Sequence, residues 1–143
     1  MLHLAPQSEE IRIPETEIIL AEIAGIQSSG RPTILLGDFN SSSPLDADYF
    51  RQETKHHPKF NVMTRYLDSG YVDLVHQHQG ALTETQASVP THLGKKNEGF
   101  WRLDYILAST PLAKKCVSAH VAKEPATDRL SDHYPVIADF TWP

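Results

Sequence analysis

The sequence predicts an α/β domain, on three observations. Short apolar runs end at glycine or follow proline, as in Ile34-Leu35-Leu36-Gly37. A stretch with helical apolar spacing precedes that run. Beyond residue 101 the apolar runs follow one another like successive strands. Residues 2–5 form the end of a strand closed by Pro6. A helix is expected over 14–28: Pro14 suits a first turn, Glu15 and Glu17 suit the positive end of the dipole, and Ile19, Ile23 and Ile26 share one face. Gly30 and Pro32 lead into a strand at 33–36. Ser43-Pro44 is an N-cap followed by proline at the first helical position, which predicts a helix over 44–52. A polar loop follows at 55–59, then a helix over 62–69 with Gly70 past its end. Residues 71–76 are expected as one more helical turn, and 77–97 as a surface loop with at most a short strand. Strands are expected at 102–108, Cys116–Val121 and 135–140, with a loop at 124–129.

The bulk numbers bound the class. A chain of 143 residues has the length of one domain, here 1–143, and can bury a full core. Its net charge of −5 argues against a broad electrostatic grip on nucleic acid, but a divalent cation can reverse the sign at a phosphodiester site. A lone cysteine, Cys116, rules out an intrachain disulfide framework and fits a reducing compartment such as the cytoplasm. No apolar run approaches bilayer length, and the N-terminus lacks the basic and apolar regions of a signal peptide.

Three stretches carry polar groups at strand ends. In Gly37-Asp38-Phe39-Asn40 an acid and an amide stand at i and i+2 beyond a buried run, so in extended chain both point one way. Asp38 is a candidate general base for a water. The Asn40 amide can donate to a phosphate oxygen. The plain alternative is an Asx-turn. In Trp101-Arg102-Leu103-Asp104-Tyr105, Asp104 is the candidate partner that fixes the tautomer of His133, from Ser131-Asp132-His133-Tyr134. Arg102 either binds a phosphate or pairs structurally. Phe100, Trp101 and Tyr105 either wall a cleft or fill the core. Lys95 and Lys96 lie in the loop feeding that strand, in a solvated turn or beside a passing substrate. His56, His57, His76 and His78 stand in polar stretches without a partner cluster and are expected at the surface.

The three stretches, in this order, resemble the endonuclease/exonuclease/phosphatase superfamily of deoxyribonuclease-I-like metal-dependent phosphoesterases. The resemblance implies hydrolysis of a phosphate ester by in-line attack of an activated water. It pairs Asp104 with His133, assigns Asp132 to a Mg²⁺ or Mn²⁺ site, and gives His3, in Leu2-His3-Leu4-Ala5-Pro6, a part in acid/base catalysis. Nucleic acid, phospholipid and small phosphate esters all belong to the substrate range it implies. It covers nearly the whole chain but matches only the C-terminal half of a four-layer α/β/β/α sandwich, with a mixed sheet and helices on one face. The asparagine and metal-binding glutamate of the other half find no match here. One sheet face is therefore expected to lack its covering layer and to associate with that half or with itself. The rival expectation is a catalytically incomplete interaction module that keeps the scaffold. A Gly-x-Ser-x-Gly elbow and a phosphate-binding Gly-Lys loop are both absent from the sequence.

Overall fold

The computed structural model describes residues 1–94 and 99–141, so the expectation for Lys95 and Lys96 lies outside the described residues. In chain order the elements are β1 (Leu2–His3), α1 (Glu9–Ser28), β2 (Ile34–Asp38), a 3-10 turn (Pro44–Asp46), α2 (Ala47–Glu53), α3 (Asn61–Asp68), β3 (Tyr71–Asp73) and α4 (Leu74–Gln79). They continue with β4 (Asp104–Ser109), α5 (Thr110–Ala113), β5 (Cys116–Val121), a 3-10 turn (Thr127–Arg129) and β6 (Val136–Phe140). Four strands form a mixed sheet in the order β1-β2-β4-β3, with β1 and β2 parallel and the other pairs antiparallel. The strands β5 and β6 form a separate antiparallel ladder.

Strand alternation divides the faces of β2. Leu35 is buried in a core with Phe39, Val62, Met63, Tyr66 and Leu107, against which Ile13, Ile19 and Ile23 of α1 pack. Ile34 and Leu36 point to the other face and are each 39% exposed. A second core joins α4, α5 and the β5–β6 ladder through Leu74, Val75, Leu112, Ala119 and Val121. Gly37 has φ +134°, and a Cβ there would stand 2.0 Å from the Leu2 carbonyl oxygen. The close approach of β1 to β2 therefore requires glycine.

Three expectations change. Helix α1 starts at Glu9, not at Pro14, which lies inside it. Side chains hold that early turn: the buried Glu9 carboxylate accepts from the Asn61 backbone and amide nitrogens, and Glu15 accepts from the Ala5 N–H. The stretch 71–76 is not helical throughout, because Tyr71–Asp73 pairs with β4 and Asp73 then caps α4 by accepting from the His76 N–H. The Ser43 cap forms as expected, but the helix after it opens as a 3-10 turn. Among the described residues, no helix is long and apolar enough to cross a membrane.

Candidate functional site

Strand register assembles the site. In the parallel pair β1–β2, His3 stands beside Asp38, and in the antiparallel pair β2–β4, Asp38 stands beside Asp104. Three strands thus deliver three polar side chains to one level at the sheet's rim. His133 arrives from the loop before β6. That loop is held by the Thr91 hydroxyl, which donates to the Ser131 carbonyl at 2.6 Å, and by the Tyr134 N–H, which donates to the Ser88 carbonyl at 2.8 Å. The buried Ser88 hydroxyl also accepts from the Leu103 and Asp104 N–H groups at 3.0 and 3.2 Å. One serine therefore ties the Asp104 strand to the His133 loop.

His133 Nδ1 and Asp104 Oδ2 lie 2.7 Å apart. Asp38 Oδ2 is 3.9 Å from that nitrogen and 3.8 Å from His3 Nε2. The hydrogen bond to Asp104 raises the His133 pKa, against the opposing effect of burial, and the charges of Asp104, Asp38 and Asp132 add to the rise. An imidazolium bonded to Asp104 through Nδ1 keeps Nε2–H as a second donor. Burial pushes the Asp38 carboxyl up, assisted by the negative Asp104 and opposed by the Asn40 N–H and by His133 and His3. A raised carboxylate is the stronger base.

Asn40 departs from the extended geometry expected of it. Its φ of +46° is left-handed, and its N–H closes an Asx-turn onto Asp38 Oδ1 at 2.7 Å. Its Nδ2 donates to the Leu4 carbonyl at 2.9 Å, which ties this loop to the His3 strand and leaves the second Nδ2 hydrogen for another acceptor. Arg102 is corrected more sharply. It is fully buried, bonds both Asp46 oxygens at 2.9–3.1 Å and lies 3.1 Å from Asp73, so it cannot reach a substrate. Its pairing is structural. Asp132 is exposed, accepts from the Ser131 hydroxyl at 3.2 Å, and stands outside the cluster formed by Asp38, Asp104 and His133.

Sequence reasoning missed Arg12, Asp46, Asp73 and Ser88. The Arg12 guanidinium donates through Nε to Ser41 Oγ and through Nη1 to the Ala5 carbonyl, both at 2.9 Å, bridging the His3 and Asn40 segments. Nothing in the local sequence around Arg12 or Ser88 marks such distant partners. Two clefts flank the centre, and Trp101 and Leu103 line both. One, of about 390 Å³, holds His133 and Asp132; the other, of about 310 Å³, holds Asn40, Ser41 and Arg12. A further hollow, of about 800 Å³ beside Tyr49 and Phe100, includes none of the site residues. Tyr105 is core: it is buried and donates to the Arg102 and Ser41 carbonyls.

Among the described residues one group could hold a metal ion, Asp38, Asp104 and His133, whose donor atoms lie within 4.8 Å of one another. Two carboxylates beside an open cleft fit a hard cation such as Mg²⁺, which takes one or two carboxylates and completes its shell with water and substrate phosphate.

The chain matches the endonuclease/exonuclease/phosphatase family over residues 3–133. It belongs to that family. Among solved structures it is similar to the 3′ phosphatase NExo from Neisseria bound to a product DNA hairpin, at 26% identity and TM-score 0.63, covering 94% of this chain and 53% of that one. It is similar to the catalytic domain of Xenopus laevis APE2 at 20% identity and TM-score 0.65, covering 96% and 46%. A conserved protein of unknown function from Enterococcus faecalis gives 20% identity and TM-score 0.67, covering 98% and 48%. The expected α/β class, with its mixed sheet, is thus the deoxyribonuclease-I-like fold, and the chain spans about half the length of the solved structures it matches. No curated protein matches it.

Proposed function

We propose that the chain carries the phosphoryl-binding and water-activating residues of a divalent-metal-dependent phosphoesterase. The observation that supports this best is the alignment of His3, Asp38 and Asp104 on three adjacent strands, with His133 bonded to Asp104. Asp38, made more basic by burial, accepts the proton of the attacking water. Protonated His133 donates Nε2–H to a phosphoryl oxygen as negative charge builds there, and Asp104 holds its ring and charge in place. Asn40, locked by its bonds to Asp38 and Leu4, offers its remaining amide hydrogen to the same group. His3 is 74% exposed beside Asp38, where it can protonate the departing oxygen. Asp104, in the cluster that could hold an ion, would hold Mg²⁺ or Mn²⁺, which when bound neutralises phosphoryl charge; Asp132, the ligand expected from the resemblance, stands outside that cluster.

The test is Asp38→Asn in the longest chain that shows phosphoesterase turnover. The expected result is a loss on the order of 10²–10⁴-fold with an unchanged melting temperature. Retained turnover removes Asp38 as the base. A second reading, a scaffold without turnover of its own, is favoured by the half-length match to the solved structures. Titration of this chain with Mn²⁺ separates the two: one-to-one binding with phosphoesterase activity supports the enzyme, and no binding supports the scaffold.

A further inference from the structure

The cleft on the Asn40 side carries a cation that the proposed chemistry leaves unused. Four charged side chains line it, and three are accounted for. Glu10 and Lys59 close on each other at 3.0 Å. Glu9 turns inward and accepts both of its bonds from Asn61. Arg12, half-buried, meets only neutral acceptors, Ser41 Oγ and the Ala5 carbonyl, and no carboxylate among the described residues. Those bonds use Nε and Nη1. A guanidinium has five N–H donors in a planar fork, so the Nη2 edge keeps its capacity for an anion. Asn40, which the proposed function places on the scissile phosphoryl group, lines the same cleft.

We propose that Arg12 binds a second phosphate of the substrate, adjacent to the one that is cleaved. The proposal rests on the reading of Asn40 and His133 as the primary phosphoryl site and narrows its substrate class to compounds with two neighbouring phosphates. A lone phosphomonoester would leave Arg12 idle. The planar guanidinium fork matches a phosphate, which it can meet with two parallel charge-assisted bonds, whereas the neutral Ser41 and Ala5 acceptors leave its charge uncompensated. Trp101 and Leu103, lining both clefts, form the ridge across which such a substrate would lie.

The experiment uses two pairs of probes with the full chain in Mg²⁺ buffer, followed by NMR of the His133 ring and the Arg12 Nε–H. The first pair is dithymidylate and the same dinucleotide phosphorylated at both ends. The second is glucose 1-phosphate and glucose 1,6-bisphosphate. The added phosphate is expected to tighten binding about tenfold and to shift Arg12. Gain in both pairs shows that any nearby phosphate suffices; gain in the dinucleotides alone assigns the subsite to a nucleic-acid strand. Arg12→Gln should abolish that gain, while Arg12→Lys should restore part of it. No gain in either pair overturns the subsite. So does an Arg12→Gln variant that weakens both members of a pair alike, since that is the mark of a strut between Ala5 and Ser41. If the one-phosphate probes fail to move His133, the primary reading fails instead, and the two failures are told apart.

Discussion

Two clusters of acid and base lie two residues apart in the chain, and burial sets them different tasks. Arg102 joins Asp46 and Asp73 where none of the three meets solvent. Asp104 joins His133 and Asp38 at an open rim. In the first, every charge is committed to a fixed partner, and removing one strands the others in a low-dielectric interior. In the second, the pairs are partly hydrated, the Asp38 contacts are 3.8–3.9 Å, and protons can be exchanged with a ligand. The stretch Arg102-Leu103-Asp104 serves both: Arg102 lies buried just before β4, and Asp104 opens that strand at the rim.

The contrast can be broken most directly at Arg102. Arg102→Met leaves Asp46 and Asp73 buried without their cation and should cost about 3–5 kcal/mol in urea denaturation. If it costs less than about 1 kcal/mol, the buried cluster does not hold the fold together. Asp38→Asn should behave oppositely, with turnover lost and the urea midpoint held.

A smaller effect lies at Asp104. In Asp104→Asn the His133 pKa should fall toward its ordinary value near 6.5, read by NMR titration of the ring. The sign follows from linkage. Folded His133 keeps a proton that the unfolded chain releases, so the stabilisation is complete below about pH 6.5 and is lost as pH rises through the raised value. The stability gap between the parent and Asp104→Asn should therefore narrow with rising pH. A gap that widens would contradict the pairing.

The smallest effect is expected at the surface pair. Glu10 is held down to about 2, first by its own backbone N–H and then by Lys59. Lys59→Gln should raise it only part of the way, seen by carboxyl-carbon NMR, with no measurable change in melting temperature.

Much of the framework was legible because apolar runs end where the chain turns. The strands that end at Asp38 and begin at Asp104 form close to the expected runs, with 33–36 becoming Ile34–Asp38 and 102–108 becoming Asp104–Ser109, and the Asx-turn weighed as the plain alternative forms at Asp38-Phe39-Asn40. Residues 71–76 misled because Tyr71-Val72-Asp73-Leu74-Val75 is too short for periodicity to separate strand from helix; pairing with β4 decides it. Arg102 misled because a charged residue beside a motif looks reactive until its partners, 56 positions back at Asp46 and elsewhere at Asp73, fold onto it. The Arg12 bridge was invisible for the same reason, since both of its acceptors are neutral groups in other segments.

Gly37 has a consequence for how this sequence can drift. Every single-base change in a glycine codon that does not leave glycine or a stop introduces a side chain with a Cβ. The first strand has no room for one: that atom would fall 2.0 Å from the Leu2 carbonyl oxygen. Relief would come from pushing the strand outward, and His3 would travel with it, away from Asp38. A residue that need touch no substrate is therefore closed to every one-step replacement, and lineages that keep His3 beside Asp38 should keep Gly37 as well.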